Sequence, residues 1–237
     1  MPQERRQQYL AAIGIDLWVP RAARAQPAAA VSASLAPPPA ADAAAWEALR
    51  TQVLQCTKCP LHLTRTQGVF GVGPKRADWL VIGEAPGAEE DRRGEPFVGA
   101  AGQLLDAMLR AIGLDRATNV YIANMLKSRP PGNRDPKPEE VAACLPYLQR
   151  QIELLRPKIM LAVGRIAAQS LLGTQAPLGR LRGEVHRFGD TPLVVTYHPA
   201  YLLRTPAEKR KAWEDLKFAR SVYQQLTQGS VTDGNRA

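Results

Sequence analysis

Short apolar runs alternate with amphipathic stretches along the chain from Trp46 onward. Four of the runs, at 78–83, 120–126, 158–164 and 192–199, have the length of strands and are flanked by residues that favour turns. Between them, apolar residues recur at the spacing typical of helices. This alternation predicts an α/β fold, a three-layer α/β/α sandwich with a central, largely parallel four-stranded sheet. The carboxyl ends of such strands usually form the ligand crevice.

The two ends of the chain depart from this pattern. Residues 1–21 hold apolar side chains clustered among charges, and we expect either a loosely docked terminal helix or a peptide that folds onto a partner. Residues 22–45 are rich in Ala and Pro with few large apolar side chains, so we expect a disordered linker. The folded domain then spans 46–228, and a disordered tail follows at 229–237.

Composition narrows the possible classes of protein. The chain has 237 residues, 45% of them hydrophobic, which is enough to bury a core. Its formal net charge of +9 favours a polyanionic partner, because Lys and Arg that neutralise phosphates release counterions. Three cysteines do not make a disulfide framework, and no apolar run reaches the ~18 residues of a membrane span. We therefore expect a protein of the reducing cytoplasm.

A glycine-rich segment, "GEAPGAEEDRRGEPFVGAAG" at 83–102, follows the first predicted strand and leads into a helical pattern. Its glycines could bring backbone amides close to a ligand. It lacks the Lys-Ser/Thr of a P-loop and the spacing of a dinucleotide fingerprint, so a nucleotide cofactor is poorly supported. Glu84 and Glu90 in this segment could position water, although such carboxylates are more often solvated loop residues.

A histidine stands at the end of the last predicted strand, in "TYHPAYLLR". A lone histidine such as His198 is more often structural than catalytic. Its neighbours strengthen a functional interpretation. Leu202 and Leu203 could wedge into a stack of bases, and Arg204 could bind a phosphate.

Two of the three cysteines form a Cys-x-x-Cys pair, Cys56 and Cys59, in "QCTKCPLHLTR". The third, Cys144, lies in a helical pattern far along the chain. Taken alone, the pair is typical of a redox motif or of half a zinc site.

Three further motifs follow this pair in a specific order: "GEAPGAEEDRRGEPFVGAAGQLL", "NMLKSRPPGNRDPKPEEVAAC" and "HPAYLLR". In this arrangement, over roughly 46–226, the chain resembles the family 4 (type a) uracil-DNA glycosylases, the iron–sulfur branch of their superfamily. The resemblance implies a monofunctional, monomeric DNA repair enzyme of the bacterial nucleoid. It would flip deoxyuridine out of DNA, hydrolyse the N-glycosidic bond, release uracil and leave an abasic site.

The resemblance also assigns roles within a uracil pocket that includes Gly83 and Ala85. Phe97 would stack on the uracil ring, and the amide of Asn124 would read the O4 and N3 edge, which suits uracil and mismatches cytosine. Glu90 would crowd the C5 position and exclude the methyl group of thymine. His198 would donate to uracil O2 as the ring departs as an anion.

The group that activates water is assigned less directly. Other branches of the superfamily have an acid at the position of Ala85, so Glu84 becomes the candidate, either for positioning water or for supporting the oxocarbenium-like sugar. The alternative is that Glu84 only hydrogen-bonds the loop backbone.

The remaining assignments concern the DNA itself. One leucine of the "HPAYLLR" motif would fill the space left by the flipped nucleotide, and nearby cations would contact the phosphate backbone. The candidates are Leu202 or Leu203, with Arg204, Lys127, Arg129 and Arg134.

In the family that the chain resembles, four cysteines hold a [4Fe–4S] cluster. Cys56, Cys59 and Cys144 match three of these positions, but Ser128 stands at the fourth. Iron–sulfur clusters favour thiolates, and a serine hydroxyl is much less acidic. We expect a cluster completed by Ser128, by water or by His62. The alternatives are zinc on the three cysteines with His62, or no metal.

The opening "RRQQYLAAIGIDLW" resembles, more weakly, the amino-terminal peptide of the DNA polymerase III psi subunit, which docks on the clamp loader. Residues 4–18 would then tether the enzyme to replication forks, where dUMP is misincorporated.

Three rival functions remain open at this point: a glycosylase with another base preference, a covalent uracil-DNA binder, and a non-catalytic DNA-binding module. Asn124 and Glu90 argue for uracil, and the His-bearing basic insertion that a covalent binder needs is not visible between Phe97 and Asn124.

Overall fold

The computed structural model describes residues 40–232 of the chain. The elements within this range are α1 (Ala40–Leu54), β1 (Trp79–Gly83), α2 (Ala88–Arg93), α3 (Ala100–Ala111), β2 (Val120–Asn124), α4 (Pro138–Leu155), β3 (Ile159–Val163), α5 (Arg165–Leu172), α6 (Leu178–Leu181), β4 (His186–Phe188), β5 (Thr191–Thr196), α7 (Pro199–Arg204) and α8 (Lys209–Thr232). Short 3-10 helices lie at Pro60–Leu63, Pro131–Asn133 and Pro206–Glu208.

The strands form one sheet in the order β2-β1-β3-β5-β4. All neighbouring pairs are parallel except β4 with β5, which is antiparallel. The predicted α/β class and the largely parallel sheet are confirmed, and the four predicted strands correspond to β1, β2, β3 and β5. The sheet has a fifth strand, β4, which the sequence did not predict, so the predicted number of four strands is wrong. The three residues of β4, His-Arg-Phe, contain no apolar run, so periodicity gave no signal for a short edge strand.

The sheet separates two apolar layers, as the sandwich requires. Side chains alternate along β1, so that Leu80 and Ile82 pack in a core with α1, α4 and α5. Trp79 and Val81 pack on the opposite face with α3, α7 and α8. Every residue of β1, β2 and β3 is buried, as expected for strands covered by helices on both faces.

The ends of the folded domain differ from the predicted boundaries. Helix α1 begins at Ala40, so 40–45 are helical rather than part of a linker. Alanine is the strongest helix former, and buried Trp46, which contacts the rings of Phe70 and Tyr121, anchors the helix to the core. At the other end, α8 continues to Thr232, past the predicted limit at 228. The peptide predicted at 1–21 and the rest of the linker and tail lie outside the described residues.

Within 40–232, no helix combines the length and apolar character needed to cross a membrane.

The parallel strands bring their carboxyl ends to one edge of the sheet. Gly83 and Asn124, the last residues of β1 and β2, lie opposite each other in the parallel register. The chain continues from there into the glycine-rich segment and into the loop that leads to α4. His198 follows β5 at the same edge. The sheet therefore gathers the three segments that carry the sequence motifs.

A buried ion pair joins α6, β5 and α8. Both Arg182 Nε and Nη2 donate to the carboxylate of Asp215, over 2.7 and 2.8 Å, and Thr196 Oγ1 donates to it over 2.7 Å. The side chain of Asp215 is 3% exposed and that of Arg182 is 13% exposed. Removing one partner of such a pair leaves an uncompensated charge inside the protein.

We expect Asp215→Ala to lower the free energy of unfolding by about 3–5 kcal/mol, because Arg182 would lose its buried counterion. Chemical denaturation measures this loss. The matched control is Glu153→Ala, which removes an exposed pair with Arg150 and should cost at most about 1 kcal/mol. Equal losses for the two variants would contradict the role assigned to Asp215.

Candidate active site

A pocket of about 410 Å³ opens at the carboxyl edge of the sheet. Its walls come from the segment after β1, from the loop after β2 and from the start of α7. It contains most of the residues predicted to act on the nucleotide, Glu84, Ala85, Glu90, Phe97, Asn124 and His198, and two predicted to contact DNA phosphates, Arg134 and Arg204. The sequence motifs therefore converge on one cavity.

His198 is the N-cap of α7, fixed between β5 and Pro199. Its Nδ1 accepts a hydrogen bond from the backbone N–H of Ala200 over 3.1 Å, so the proton of the neutral ring sits on Nε2. Burial of the ring and the nearby Arg204 lower the pKa of His198 to about 4, although Glu90 opposes this effect. At neutral pH the imidazole is therefore uncharged and offers one N–H donor.

Phe97 forms an apolar wall beside this imidazole. The two ring centroids lie 5.6 Å apart with planes at 30°, and Phe97 is 6% exposed. Its backbone adopts a φ of 54°, in the left-handed region that residues other than glycine seldom occupy. Such strained conformations concentrate at functional sites.

Asn124 presents a buried acceptor that lacks a partner. The residue is 2% exposed, and its Oδ1 accepts no hydrogen bond from any described residue. Native proteins seldom leave a buried polar atom unpaired, so this oxygen indicates a place for a ligand donor.

Gly83 allows this arrangement because it has no side chain. A Cβ at this position would lie 2.4 Å from Asn124 Oδ1 and 2.6 Å from Phe97 Cζ. The close approach of the amide and the aromatic ring therefore requires glycine at the end of β1.

Glu90 braces the loop that carries Phe97. One carboxylate oxygen accepts the N–H groups of Val98 and Gly99 over 2.9 and 3.1 Å, and the other accepts that of Gly87 over 3.1 Å. These three donors fix the carboxylate at the pocket wall.

Glu84 follows β1 directly and lines the pocket beside Ala85. Burial, together with the negative charge of Asp135, raises the pKa of Glu84 to about 7, although the positive charge of Arg165 opposes this shift. A carboxyl group that titrates near neutral pH is well suited to handle protons.

Sequence reasoning missed Asp135, which lines the pocket and pairs with Arg165 over 3.0 Å. It also missed Asn133 and Tyr201, which line the same pocket. Their only sequence signal was position, since Asn133 and Asp135 lie in a loop already predicted to reach the carboxyl edge and Tyr201 follows His198 closely.

The family model described as Uracil DNA glycosylase superfamily matches residues 70–217, more than half of the chain. The chain belongs to this superfamily.

Individual relatives identify the branch. The chain is 47% identical over 174 residues to a type-4 uracil-DNA glycosylase of Archaeoglobus fulgidus, covering 70% of this chain and 87% of that protein. It is 42% identical over 179 residues to the type-4 enzyme of Thermotoga maritima, covering 74% and 93%. A type-5 uracil-DNA glycosylase of Thermus thermophilus is 34% identical over 153 residues, covering 55% and 68%. The predicted membership of family 4 is confirmed.

Two candidates for DNA contact in this glycosylase, Lys127 and Leu202, are buried. Burial contradicts the prediction for Lys127, and of the alternatives Leu202 and Leu203 it favours Leu203. Lys127 is 1% exposed, and its Nζ donates to the backbone oxygen of Asn124 and to Gln151 Oε1, over 2.8 and 2.6 Å. Burial lowers the pKa of Lys127 to about 7. Leu202 is 1% exposed because it lies on the face of α7 that packs into the core.

The other predicted DNA contacts remain accessible. Leu203 is 44% exposed, and Arg204 lies at the mouth of the pocket. Arg129 donates to Asn133 Oδ1 over 2.8 Å and is partly exposed. Arg134 lines the pocket while it pairs with Glu140.

Two of the three cysteines of the glycosylase lie in a small apolar cluster, and the third, Cys56, packs against the larger core that contains α1 and α4. Buried Cys144 packs with Leu61 and Leu126, and half-buried Cys59 lies against them. Burial raises the pKa of the Cys144 thiol, the adjacent Lys127 opposes this, and Cys59 and Cys56 raise it further. The thiols are thus close enough to interact electrostatically.

Ser128, at the fourth position of the family's ligand set, accepts a hydrogen bond from an arginine. Arg65 Nη1 donates to Ser128 Oγ over 2.8 Å, and Nη2 donates to the backbone oxygens of Leu54 and Cys56 over 2.8 and 3.0 Å. His62 Nδ1 lies 2.7 Å from the backbone oxygen of Cys59. Within residues 40–232, no three His, Cys, Asp or Glu side chains form a metal-binding group. The sequence thus supplies thiols at three of the four family positions and a hydroxyl at Ser128, but the described side chains do not come together as a metal-binding group.

Proposed function

We propose that this protein removes uracil from DNA by hydrolysing the N-glycosidic bond of deoxyuridine, with its pocket residues in the roles below. The observation that carries the proposal is the pairing, in one cavity, of a neutral His198 that offers an N–H with the unpartnered Oδ1 of Asn124. A base inside a duplex cannot reach these groups, so the nucleotide must be flipped into the pocket.

Recognition of the base rests on Asn124. Its Oδ1 accepts the N3–H of uracil, and its amide N–H donates to O4. Cytosine presents an acceptor at N3 and a donor at C4, so it would face the amide with the wrong groups. Phe97 stacks on the ring, and Glu90, held by three backbone amides, occupies the C5 side where thymine carries its methyl group.

Departure of the base depends on His198. As the glycosidic bond breaks, negative charge develops on uracil O2, and the Nε2–H of His198 donates to it. Because the pKa of His198 is about 4, the ring stays neutral near pH 7, and it acts as a hydrogen-bond donor without carrying a charge.

Attack by water depends on Glu84. The ionised carboxylate accepts a proton or a hydrogen bond from the water and stabilises the positive charge that forms on the sugar. The small side chain of Ala85 stands where other branches of the superfamily have an acid, which leaves Glu84 as the carboxylate next to the end of β1.

Exposed side chains around the pocket contact the DNA. Leu203, not Leu202, fills the gap left by the flipped nucleotide, because only Leu203 is exposed. Arg204, Arg129 and Arg134 contact the phosphate backbone, which adds affinity that weakens with salt.

The three cysteines are assigned to the binding of a cofactor. Cys56, Cys59 and Cys144 supply three thiolates for a [4Fe–4S] cluster, whose contribution when bound is structural. It would tie the loop after Asn124 to α4. Ser128, at the fourth position, accepts a hydrogen bond from Arg65, so a cluster here would be held by fewer strong ligands than in a four-cysteine site. Zinc on the three thiols with His62 is the second candidate.

The amino-terminal peptide, which lies outside the described residues, supplies a partner proposal. Residues 4–18 bind the replication clamp loader, and the linker that follows them keeps the glycosylase near the fork. The support is the pattern of Arg-Arg, Leu, Gly-Ile and Trp in the sequence alone.

Glu84→Gln tests the mechanism. We expect single-turnover excision from a uracil-containing oligonucleotide, read as strand scission in alkali, to fall about 10²-fold or more, because a neutral amide cannot activate water. In the wild type the rate should rise as pH passes about 7, where Glu84 ionises, and this rise should vanish in the variant.

The control for this experiment is Glu89→Gln, an exposed carboxylate of the same segment that pairs with Arg92 and lies outside the pocket. An unchanged rate in Glu84→Gln rejects its role. If the wild type gives only a reversible gel shift, the protein is a binding module. A denaturation-resistant adduct would identify a covalent binder.

Ser128→Cys tests the cofactor. We expect this variant, purified anaerobically, to hold more iron per chain than the wild type and to absorb more strongly in the visible range, because it restores the fourth thiolate. Ser128→Ala is the matched control and should gain nothing. Colourless, iron-free wild-type protein with full activity would overturn the cluster proposal, and zinc in the metal assay would support the second candidate.

Trp18→Ala tests the partner. We expect the full-length protein to be recovered with clamp-loader subunits in a pull-down, and the variant to be lost from it, since Trp18 is the largest apolar side chain of the peptide. Equal recovery of both proteins would refute the interaction.

A further inference from the structure

An arginine outside the pocket contacts the loop that carries Phe97. Arg116 lies between α3 and β2, is half-buried, and is not part of the pocket wall. Its Nη1 donates to the backbone oxygen of Pro96 over 3.2 Å, and its Nη2 donates to that of Phe97 over 2.9 Å. Its Nε donates to Asp106 Oδ1 over 2.7 Å. The guanidinium thus bridges two successive carbonyls and a carboxylate on α3.

We propose that Arg116, held by Asp106, is a positioning residue for uracil excision, which locks the backbone of Phe97 so that its ring stands ready to stack on the flipped base. The inference rests on the proposed function and adds a residue that acts on the reaction only through Phe97.

The backbone of Phe97 needs an external restraint. For a residue other than glycine, the left-handed conformation costs about 1–2 kcal/mol, so Phe97 would leave it unless other contacts prevented the change. The two carbonyls bound by Arg116 lie on one side of this residue. On the other side, the amides of Val98 and Gly99 are bound by Glu90. The peptide group that joins Phe97 to Val98 is therefore bound at both ends, its C=O by Arg116 and its N–H by Glu90.

Close packing against α3 makes the position of Phe97 specific. A Cβ on Gly102, in the first turn of α3, would lie 1.8 Å from the backbone oxygen of Phe97. The Phe97 carbonyl therefore rests directly against the helix, in a space that glycine leaves open. Asp106, one turn further along α3, orients the guanidinium toward the same carbonyl.

The backbone conformation of Phe97 determines where its ring lies. It stacks beside His198, and it approaches Gly83 so closely that a Cβ there would collide with it. If the carbonyls of Pro96 and Phe97 were released, Phe97 could return to an ordinary conformation and its ring would leave the pocket wall. Arg116 would then affect stacking and excision without touching the base or the DNA.

The test compares Arg116→Ala and Arg116→Lys with the wild type. Lysine keeps the charge but lacks the planar fork that spans two carbonyls, so it should rescue only partly. We expect kcat for uracil excision to fall about 10- to 100-fold in Arg116→Ala, since displacement of a positioning group by about 1 Å can cost as much. The affinity for free uracil, measured by calorimetry, should fall with it, while the affinity for DNA that carries an abasic-site analogue should not change.

A double-mutant cycle separates positioning from general destabilisation. Because Arg116 acts through the Phe97 ring, Arg116→Ala added to Phe97→Ala should cause no further loss of kcat or of uracil affinity. Arg150→Ala, which breaks an exposed ion pair on the opposite layer, is the control and should leave all three measurements unchanged. Chemical denaturation shows whether each variant is folded. If Arg116→Ala is unfolded, Arg116→Lys replaces it in these comparisons.

Each outcome has a distinct meaning. If the wild type excises uracil and the Arg116 variants keep its kcat and uracil affinity, this inference is overturned and the proposed function stands. Additive losses in the double variant lead to the same conclusion. Equal weakening of abasic-site binding would show that Arg116 serves the DNA surface instead, which also overturns it. If the wild type excises no uracil, the proposed function fails, and this inference fails with it.

Discussion

The site depends on one close approach, at the end of the first strand. The parallel register of β1 and β2 sets Gly83 opposite Asn124, and the missing side chain of Gly83 lets the Asn124 amide and the Phe97 ring converge. Every other pocket group is placed relative to this point: Glu84 is the next residue of the chain, and His198 follows β5 at the same edge of the sheet. The topology brings the groups together, and the glycine determines how tightly they fit.

The pocket separates two titrating groups by giving each a different surrounding. His198 is kept neutral because burial and Arg204 oppose its protonation, and the Ala200 amide fixes which nitrogen carries the proton. The pKa of Glu84 is raised, since burial and the negative charge of Asp135 oppose its ionisation. One cavity therefore holds a donor that does not change charge near neutral pH and a carboxyl group that does. This division suits a reaction that creates an anion on the base and consumes a water molecule.

Apolar periodicity and motif order were sufficient to predict the strands, the layers and most of the pocket wall. They failed where the outcome depends on tertiary contacts. The sequence suggested a surface cation at Lys127, but in the loop after β2 its side chain is buried and donates to Gln151 on α4. Leu202 and Leu203 are adjacent and chemically equal, and only the orientation of α7 decides which is exposed. Arg116 acts through backbone carbonyls, which leave no mark in the sequence, and β4 was too short and too polar to be recognised.

The contacts of Arg65 give the region around Ser128 a second means of support. One guanidinium joins the serine, which lies four residues past Asn124, to the carbonyl oxygens of Leu54 at the end of α1 and of Cys56 in the Cys-x-x-Cys pair. Hydrogen bonds of this kind need no iron and are not attacked by oxidants. The loop after Asn124 is thus held at Ser128 by contacts that involve no metal. An oxidant that reached the thiols of the pair would leave these hydrogen bonds in place.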